Sequence, residues 1–395
     1  MGTFPNDVSA AVVNDMRQIS TDYLPNRRIK EETLSLSYSF VSDIGEFRLN
    51  AGHFNYSSYN ILDADFSIAG TYIISGRETG LGWISGQTRD SQSKQIDANF
   101  STELASAQVT AGLFYFDQEQ AYNWIFGTTS DSAPQSVTWA TWPNDSFEFT
   151  AESKALYLQS VIAVSDRLEL TVGGRYSEDN RSSHRLVVDP TTAEGTPRPF
   201  HVPSDDAVQL GDDSHFDYRA ALMYAIGNNT NIFASLATGY MSGEVQSGTG
   251  SLLDASENDT IEIGVKTSLL NDSLYISVTA YESRYENLTT SLLFLIPESD
   301  VYGSRSVPGG GVKSRGLEIE STWRPKEQTL LSASITLDDS KFEEFYKRYV
   351  YTETDGNPRI TTLDDGSKTM DVSGLETPFA PDLTVALNAS HDIQL

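Results

Sequence analysis

Eight ionisable side chains sit within stretches that alternate apolar and polar residues: Glu169, Arg175, Asp217, Arg219, Glu262, Lys266, Glu318 and Glu320. The run from Glu257 to Tyr285 shows the pattern. Ile261, Ile263, Val265, Thr267 and Leu269 fall on one face, and Glu262, Gly264, Lys266 and Ser268 on the other. That is the period of a β-strand with one apolar face. Charges in this pattern meet water on the open face of a soluble sheet. In a barrel they meet the lumen, where water or a filling domain lies. They do not form a catalytic constellation. No GxSxG, HExxH or P-loop motif occurs, and His53, His184, His201, His215 and His391 lack metal-ligand spacing. No enzymatic activity, cofactor or metal site is expected. Asp205-Asp206 and Asp212-Asp213 read as a solvated acidic loop, and Gly309-Gly310-Gly311 as a flexible connection.

A second group of candidates lies in longer polar connections. Trp124, Trp139, Trp142 and His184 are the residues there best suited to touch a ligand, because loops on a rigid scaffold carry recognition.

The elements that hold these residues are strands. Alternation begins at Thr33 with Leu34, Leu36, Tyr38 and Phe40, and it recurs to Leu383, Val385 and Leu387. Turn signals fall near positions 43, 105, 166, 228, 272 and 326, each only a few residues long. The connections between them, over 121–149, 182–213, 242–256, 287–311 and 341–378, are far longer, and 57–91 reads either as a loop with its own small strands or as one more hairpin. Residues 1–32 read as an irregular loop segment and 33–395 as one all-β unit. Short turns at one end and long loops at the other describe an antiparallel transmembrane β-barrel. Many strands read as ~11–14 residues long, against a globular mode of ~5–6. The alternation itself leaves a soluble sandwich open, because the apolar face is the inside of a sandwich and the outside of a membrane barrel.

Composition narrows the field. The 395 residues carry a net charge of −28, which excludes nucleic acid as a partner. There is no Cys, hence no disulfide framework and no catalytic thiol. Mean hydropathy is −0.34, and no run approaches the ~20 apolar residues of a membrane helix. The first residues lack a signal-peptide pattern, so the sequence reads as an internal piece of a longer precursor.

Several segments resemble the C-terminal β-barrel portion of TonB-dependent outer-membrane receptors. They are Gly173-Gly174-Arg175-Tyr176, Gly239-Tyr240-Met241-Ser242-Gly243, Glu262-Ile263-Gly264-Val265-Lys266 followed by SLLNDSLYISVTAY, Gly316-Leu317-Glu318-Ile319-Glu320, and Ala380-Pro381. In order and spacing they cover 92–395. The resemblance implies a monomeric barrel of about 22 strands in the outer membrane of a Gram-negative bacterium, filled by an N-terminal plug. It also implies uptake energised by TonB-ExbB-ExbD, with a ferric siderophore as the typical cargo. About 13–15 strands are legible, a partial barrel. No plug or TonB box is legible, so the piece by itself is not expected to transport. The alternatives are a passive outer-membrane porin, which shares the barrel but lacks a plug, and a secreted all-β glycan-binding protein. On the barrel reading a charge at Ile263 should impair membrane assembly of the full-length protein, and one at Gly264 should be tolerated better.

Overall fold

A computed structural model describes residues 26–63, 73–74, 77–78, 81–130, 133–139, 145–186, 208–243, 253–295, 302–349, 358–362 and 368–393. Thirteen strands form one antiparallel path, each paired with the strand before it in sequence. They are β1 (Asn26–Ser42), β2 (Gly45–Asp63), β3 (Leu81–Leu104), β4 (Ala107–Ser130), β5 (Asp145–Ser165), β6 (Leu168–Leu186) and β7 (Val208–Ile226). The path continues through β8 (Thr230–Met241), β9 (Ser256–Leu269), β10 (Leu274–Leu295), β11 (Tyr302–Lys326), β12 (Thr329–Glu343) and β13 (Leu383–His391). A short strand, Ala133–Trp139, folds back on β4. A small separate sheet (Tyr346–Tyr349, Lys368–Asp371, Ile360–Thr362) lies in the connection between β12 and β13.

The six tight turns sit where the sequence places them, at 43–44, 105–106, 166–167, 227–229, 270–273 and 327–328. Several need a left-handed backbone, at Ala105 (φ 54), Leu270 (φ 52), Asn271 (φ 54), Asp272 (φ 64) and Gly227 (φ 67). At the other end the strands run well past the lengths expected from alternation. β11 has 25 residues, and β3 and β4 have 24 each. Much of the segments expected as loops over 121–149, 182–213 and 287–311 is therefore strand, and the described part of 57–91 takes the hairpin alternative, pairing β2 with β3. β1 likewise starts at Asn26, inside the segment expected to be irregular. The reason is physical. Alternation is visible only where one face is apolar, whereas ladder hydrogen bonds continue wherever backbone pairs, whatever the side chains. Beyond Asn55 and Gln92, or Glu119 and Thr150, polar residues such as Arg89, Asp90, Gln120 and Asn123 interrupt the apolar pattern, and the ladder persists.

The sheet has almost no apolar core. Among the described residues the buried apolar side chains are Ile61, Ala155, Leu253, Phe345 and Val372. The alternating apolar rows are on the outside: Leu34 is 72% exposed, Ile261 64%, Ile263 62% and Leu387 78%. On β10 to β13 these outward residues stack in successive cross-strand rows. From the turn end upward they are Leu274–Trp323–Leu331–Ala389, Ile276–Ser321–Ala333–Leu387, Val278–Ile319–Ile335–Val385 and Ala280–Leu317–Leu337–Leu383. The next row, Glu282–Arg315–Asp339, is fully charged. Four rows at two residues per row give ~8 residues, close to the ~9–11 residues of a tilted membrane strand. A soluble sandwich would bury these rows, so the apolar face is the lipid face.

On the opposite face, rings lie across glycines. Tyr281 of β10 lies over Gly316 of β11, where a Cβ would come within 2.7 Å of the ring carbon Cζ. Its hydroxyl donates to Asp338 Oδ1 of β12 at 2.6 Å. Tyr157 of β5 repeats this over Gly112 of β4 and reaches Asp97 of β3 at 3.1 and 3.2 Å. Each tyrosine ties three strands at one register. A third ring, Phe233, covers Gly264, where a Cβ would lie 2.6 Å from Phe233 Cζ and 2.5 Å from the Val278 carbonyl oxygen. Gly264 is thus inward but filled, so a side chain added there must displace Phe233.

Two outcomes follow. Ile263→Lys should cost about 2–4 kcal/mol of membrane stability, while Thr279→Lys, inward beside Glu318, should cost little. Urea titration of the protein refolded into lipid vesicles reads both, and equal costs would overturn the assignment of faces. Gly316→Val should destabilise by about 1–3 kcal/mol through overpacking against Tyr281, more than Tyr281→Phe, for which a single hydrogen bond is worth about 1 kcal/mol. The reverse ranking in the same titration would mean that the ring does not rest on the glycine.

Candidate functional site

Six of the charges on the inward face line one cavity of about 390 Å³. Glu169, Arg219, Glu262, Lys266, Glu318 and Glu320 all line it, with Thr171, Ser235, Phe233, Ser277 and Thr279. They come from six consecutive strands, β6 to β11. At ~4.8 Å between strands, side chains so far apart share a cavity only if the face that bears them is concave. The register sets them in adjoining rows: Arg219 uppermost, then Ser235–Glu262–Tyr281, then Glu169–Met223–Phe233–Gly264–Thr279–Glu318, then Lys266–Ser277–Glu320.

The cavity's chemistry is that of a polar wall. Ser235 Oγ donates to Glu262 Oε2 at 2.9 Å. The Lys266 ammonium lies 5.1 Å from the Phe233 ring centroid, a distance at which a cation is attracted to the ring face. Four carboxylates against two cations leave the lining acidic. No group of three or more His, Cys, Asp or Glu suited to a metal occurs among the described residues.

Arg175 and Asp217 stand opposite each other higher on the same face. The Arg175 guanidinium lies 4.8 Å from the Phe114 centroid, and its Nε donates to Ser177 Oγ at 3.1 Å. Asp217 Oδ1 accepts from Thr238 Oγ1 at 3.2 Å and lies 3.4 Å from His215 Nε2.

Above these, β8 parts from β7. Their ladder ends at Arg219–Ala237, although β8 stays paired with β9 up to Met241. Side chains close the gap. Thr238 Oγ1 accepts from the Tyr218 amide at 2.9 Å. The Tyr240 ring stacks on His215 with centroids 4.7 Å apart and 11° between planes, and its hydroxyl donates to Asp179. Arg181 pairs with Asp213, which also accepts from the Gly243 amide at 3.1 Å. Burial and the Asp179 carboxylate push the Tyr240 phenol well above its usual range. The Asp212-Asp213 pair reads from sequence as solvated loop. Asp213 instead joins Tyr240 in a polar seam between strands. No sequence signal marks it, because its partners come from β6, β7, β8 and β9.

The aromatic candidates lie differently. Trp124 is within β4, paired with Gln87 and Asp145, and Trp139 closes the short strand that folds back on β4. Both are strand residues rather than loop residues. Trp142 lies outside the described residues. His184 is in β6, with Nδ1 3.9 Å from Glu148 Oε2 of β5. It shares the parity of Tyr176 and Leu170, so it stands on the outward face near the strand's upper end. His184 does not line the inward cavity.

Comparison with known proteins fits this architecture. Over 277 residues the chain is 24% identical to the ferrichrome outer membrane transporter/phage receptor of Escherichia coli (strain K12), covering 66% of this chain and 32% of the relative. It is 22% identical over 267 residues to the ferrioxamine B receptor of Salmonella typhimurium, covering 65% and 34%. The chain thus spans about a third of the length of these curated relatives. Among solved structures, the ferric yersiniabactin uptake receptor of Yersinia pestis superposes with a TM-score of 0.65 at 13% identity, covering 94% of this chain and 48% of that one. The family model described as "TonB dependent receptor-like, beta-barrel" matches residues 2–394. With its apolar rows outward and its charges on the concave face, the chain belongs to the β-barrel family of the TonB-dependent receptors of the Gram-negative outer membrane.

Proposed function

We propose that this chain forms part of the barrel wall of a receptor that takes up a ferric siderophore, with energy delivered by TonB-ExbB-ExbD to a plug inside the barrel. The observation that carries the reading is the inward cavity. A wall whose polar and ionisable groups come from six neighbouring strands, the charges from four of them, and converge in one concavity is built to hold a polar body. Glu169, Glu262, Glu318 and Glu320 offer acceptors and Arg219 and Lys266 donors, which suits the mixed surface of a folded plug better than an open pore. Names of relatives supply the cargo class: two of them are receptors for iron chelates. The same points weigh against a passive porin. The secreted glycan-binding alternative fails on the exposed apolar rows.

On this reading β1 and β13, each with one neighbour along the described path, close against further strands of the receptor, since an open edge in lipid leaves backbone groups unsatisfied.

The function is tested by uptake of radio-iron in the full-length receptor's host. Loss of the receptor should abolish TonB-dependent import of at least one ferric siderophore under iron limitation. Import that persists without TonB would favour the porin. The cavity is tested by Glu262→Gln, Glu318→Gln and Glu320→Gln together in the full-length receptor. The plug should be held less firmly, so entry of large antibiotics should rise several-fold with surface levels unchanged. Unchanged entry would remove the cavity from plug retention.

A further inference from the structure

Three side chains at the seam between β7 and β8 reach the opposite face of the wall from the one their parity assigns. On β8 Ala234 and Leu236 belong to the outward row, so Thr238 and Tyr240 share that parity, as does Glu257, which pairs with Tyr240 from β9. Their contacts are nonetheless inward residues. Thr238 Oγ1 donates to Asp217 Oδ1 at 3.2 Å. The Tyr240 ring lies on His215, and its hydroxyl donates to Asp179, which is only 8% exposed. Glu257 Oε1 is 3.7 Å from His215 Nδ1. Asp179, His215 and Asp217 share the parity of Arg175 and Arg219. No bulge explains the reversal. β8 pairs with β9 without a register shift from Thr230 to Met241, and β6 pairs with β7 without one from Leu168 to His184. The upper end of β8 therefore leaves the wall and laps over the inner face of β7.

The lapped arrangement satisfies its polar groups only in part. Above Arg219–Ala237 side chains replace the ladder, and the Tyr218 amide relies on Thr238 Oγ1. Arg181 uses Nη2 for Asp213, while its Nε and Nη1 are buried without an acceptor among the described residues. A buried donor left unpaired is costly, and more so on a charged group. Asp179 lies two residues back on the same face of β6, and Tyr240 takes one of its oxygens. The alternative is edge-to-edge pairing. Continuing the β7–β8 register sets Thr238, Gly239, Tyr240, Met241 and Ser242 opposite Tyr218, Asp217, Phe216, His215 and Ser214. That position returns Tyr240 to the outward row beside Phe216, restores ladder bonds and frees Asp179 for Arg181. It gives up the stack on His215 and the bond from the Gly243 amide to Asp213. Each position meets groups that the other leaves unmet, which is the condition for a bistable element.

We propose that the seam above Ala237 has two positions, with the upper end of β8 either lapped over the inner face of β7, as in this structure, or zipped to its edge. β9 and β10 follow β8, because their ladders continue to Met241–Ser256 and Glu257–Glu286. The pivot lies just past Ala237, the last residue of the β7–β8 ladder. Gly239 eases the bend: a Cβ there would meet only Asn258 Oδ1, at 3.9 Å. The ties that hold the lapped position are side-chain contacts outside the ladder, so leaving it breaks no backbone pair of the wall. Asp217 and His215 stand in the rows directly above Arg219, so the lapped end of β8 covers the wall just above the inward cavity. Zipping draws it back into the wall and widens the way to that cavity. The inference rests on parity and register and not on the cargo.

The chain has no Cys, so an added disulfide can report the zipped position. The probe is Ser214→Cys with Ser242→Cys in the full-length receptor, in isolated outer membranes treated with a mild oxidant. Neither serine takes part in the contacts above. Zipped, the two stand directly opposite, near the ~3.5–4.5 Å between Cβ atoms that a disulfide needs. Lapped, Ser214 is on the outer face of β7 and Ser242 on the lumen side, beside the Gly243 amide that reaches Asp213, with the strand between them. Linked peptides are counted by mass spectrometry after digestion, and maleimide labelling of each single variant checks that both thiols react. The disulfide should form. Tyr240→Phe, which keeps a ring for His215 and loses the bond to Asp179, should speed it about tenfold. Absence of the disulfide while both thiols react with maleimide would overturn the proposal. A rate that Tyr240→Phe leaves unchanged would overturn it as well, since the Asp179 bond would then hold nothing in place.

Discussion

A backbone that crosses hydrocarbon must satisfy its own hydrogen bonds, and everything else here follows from that requirement. Water cannot take the place of a missing partner in lipid, so only helices and closed sheets cross. No helix among the described residues is long and apolar enough to do so. The chain instead pairs each strand with the one before it, thirteen along one path. A meander of this kind makes every barrel contact with a sequence neighbour. Side chains are then released from building a core, which is why so few apolar residues are buried and so many face out.

Freed from core packing, the inward side chains take on the work of fixing register. A ladder alone tolerates slippage where both faces are weakly patterned. The upper parts of β3, β4 and β5, rich in Ser, Gln, Asn and Glu, are such a region. Tyr157 across Gly112 to Asp97, and Tyr281 across Gly316 to Asp338, bond to the second strand away rather than the first. A one-residue slip would put the ring against a side chain and the hydroxyl beyond reach of its carboxylate. The same stacks bring glycine into strands where it would otherwise weaken the sheet.

How much of this the sequence shows depends on which force leaves a periodic trace. The lipid band does: Ile261, Ile263 and Val265 alternate with Glu262, Gly264 and Lys266, and the faces follow once strand length and loop asymmetry decide which side is lipid. The turns do, because Asn271-Asp272 and Gly227-Asn228 are turn chemistry. The polar extensions of β3, β4 and β11 do not, since main-chain pairing carries no side-chain period. Neither does the gathering of Glu169 with Glu320, which register and curvature produce across six strands. The occupancy of Gly264 by Phe233 is invisible for the same reason: the ring arrives from the neighbouring strand.

The seam between β7 and β8 shows what happens where the main constraint relaxes. It opens above Ala237, where Thr238 follows Leu236 on the outward parity of β8, so the ladder ends where β8 loses its apolar row, while Tyr218 and Phe216 of β7 continue it outward. There, water or side chains can serve the freed backbone groups. Thr238 accepts from the Tyr218 amide and Asp213 from the Gly243 amide. Tyr240, His215 and Asp179 fill the space between. Within the band the same parting would strand donors in hydrocarbon at a cost of several kcal/mol each. The lipid boundary therefore separates two regimes: below it, wall structure is dictated by backbone pairing; above it, side chains can replace ladder bonds, and strands can part to shape the extracellular mouth.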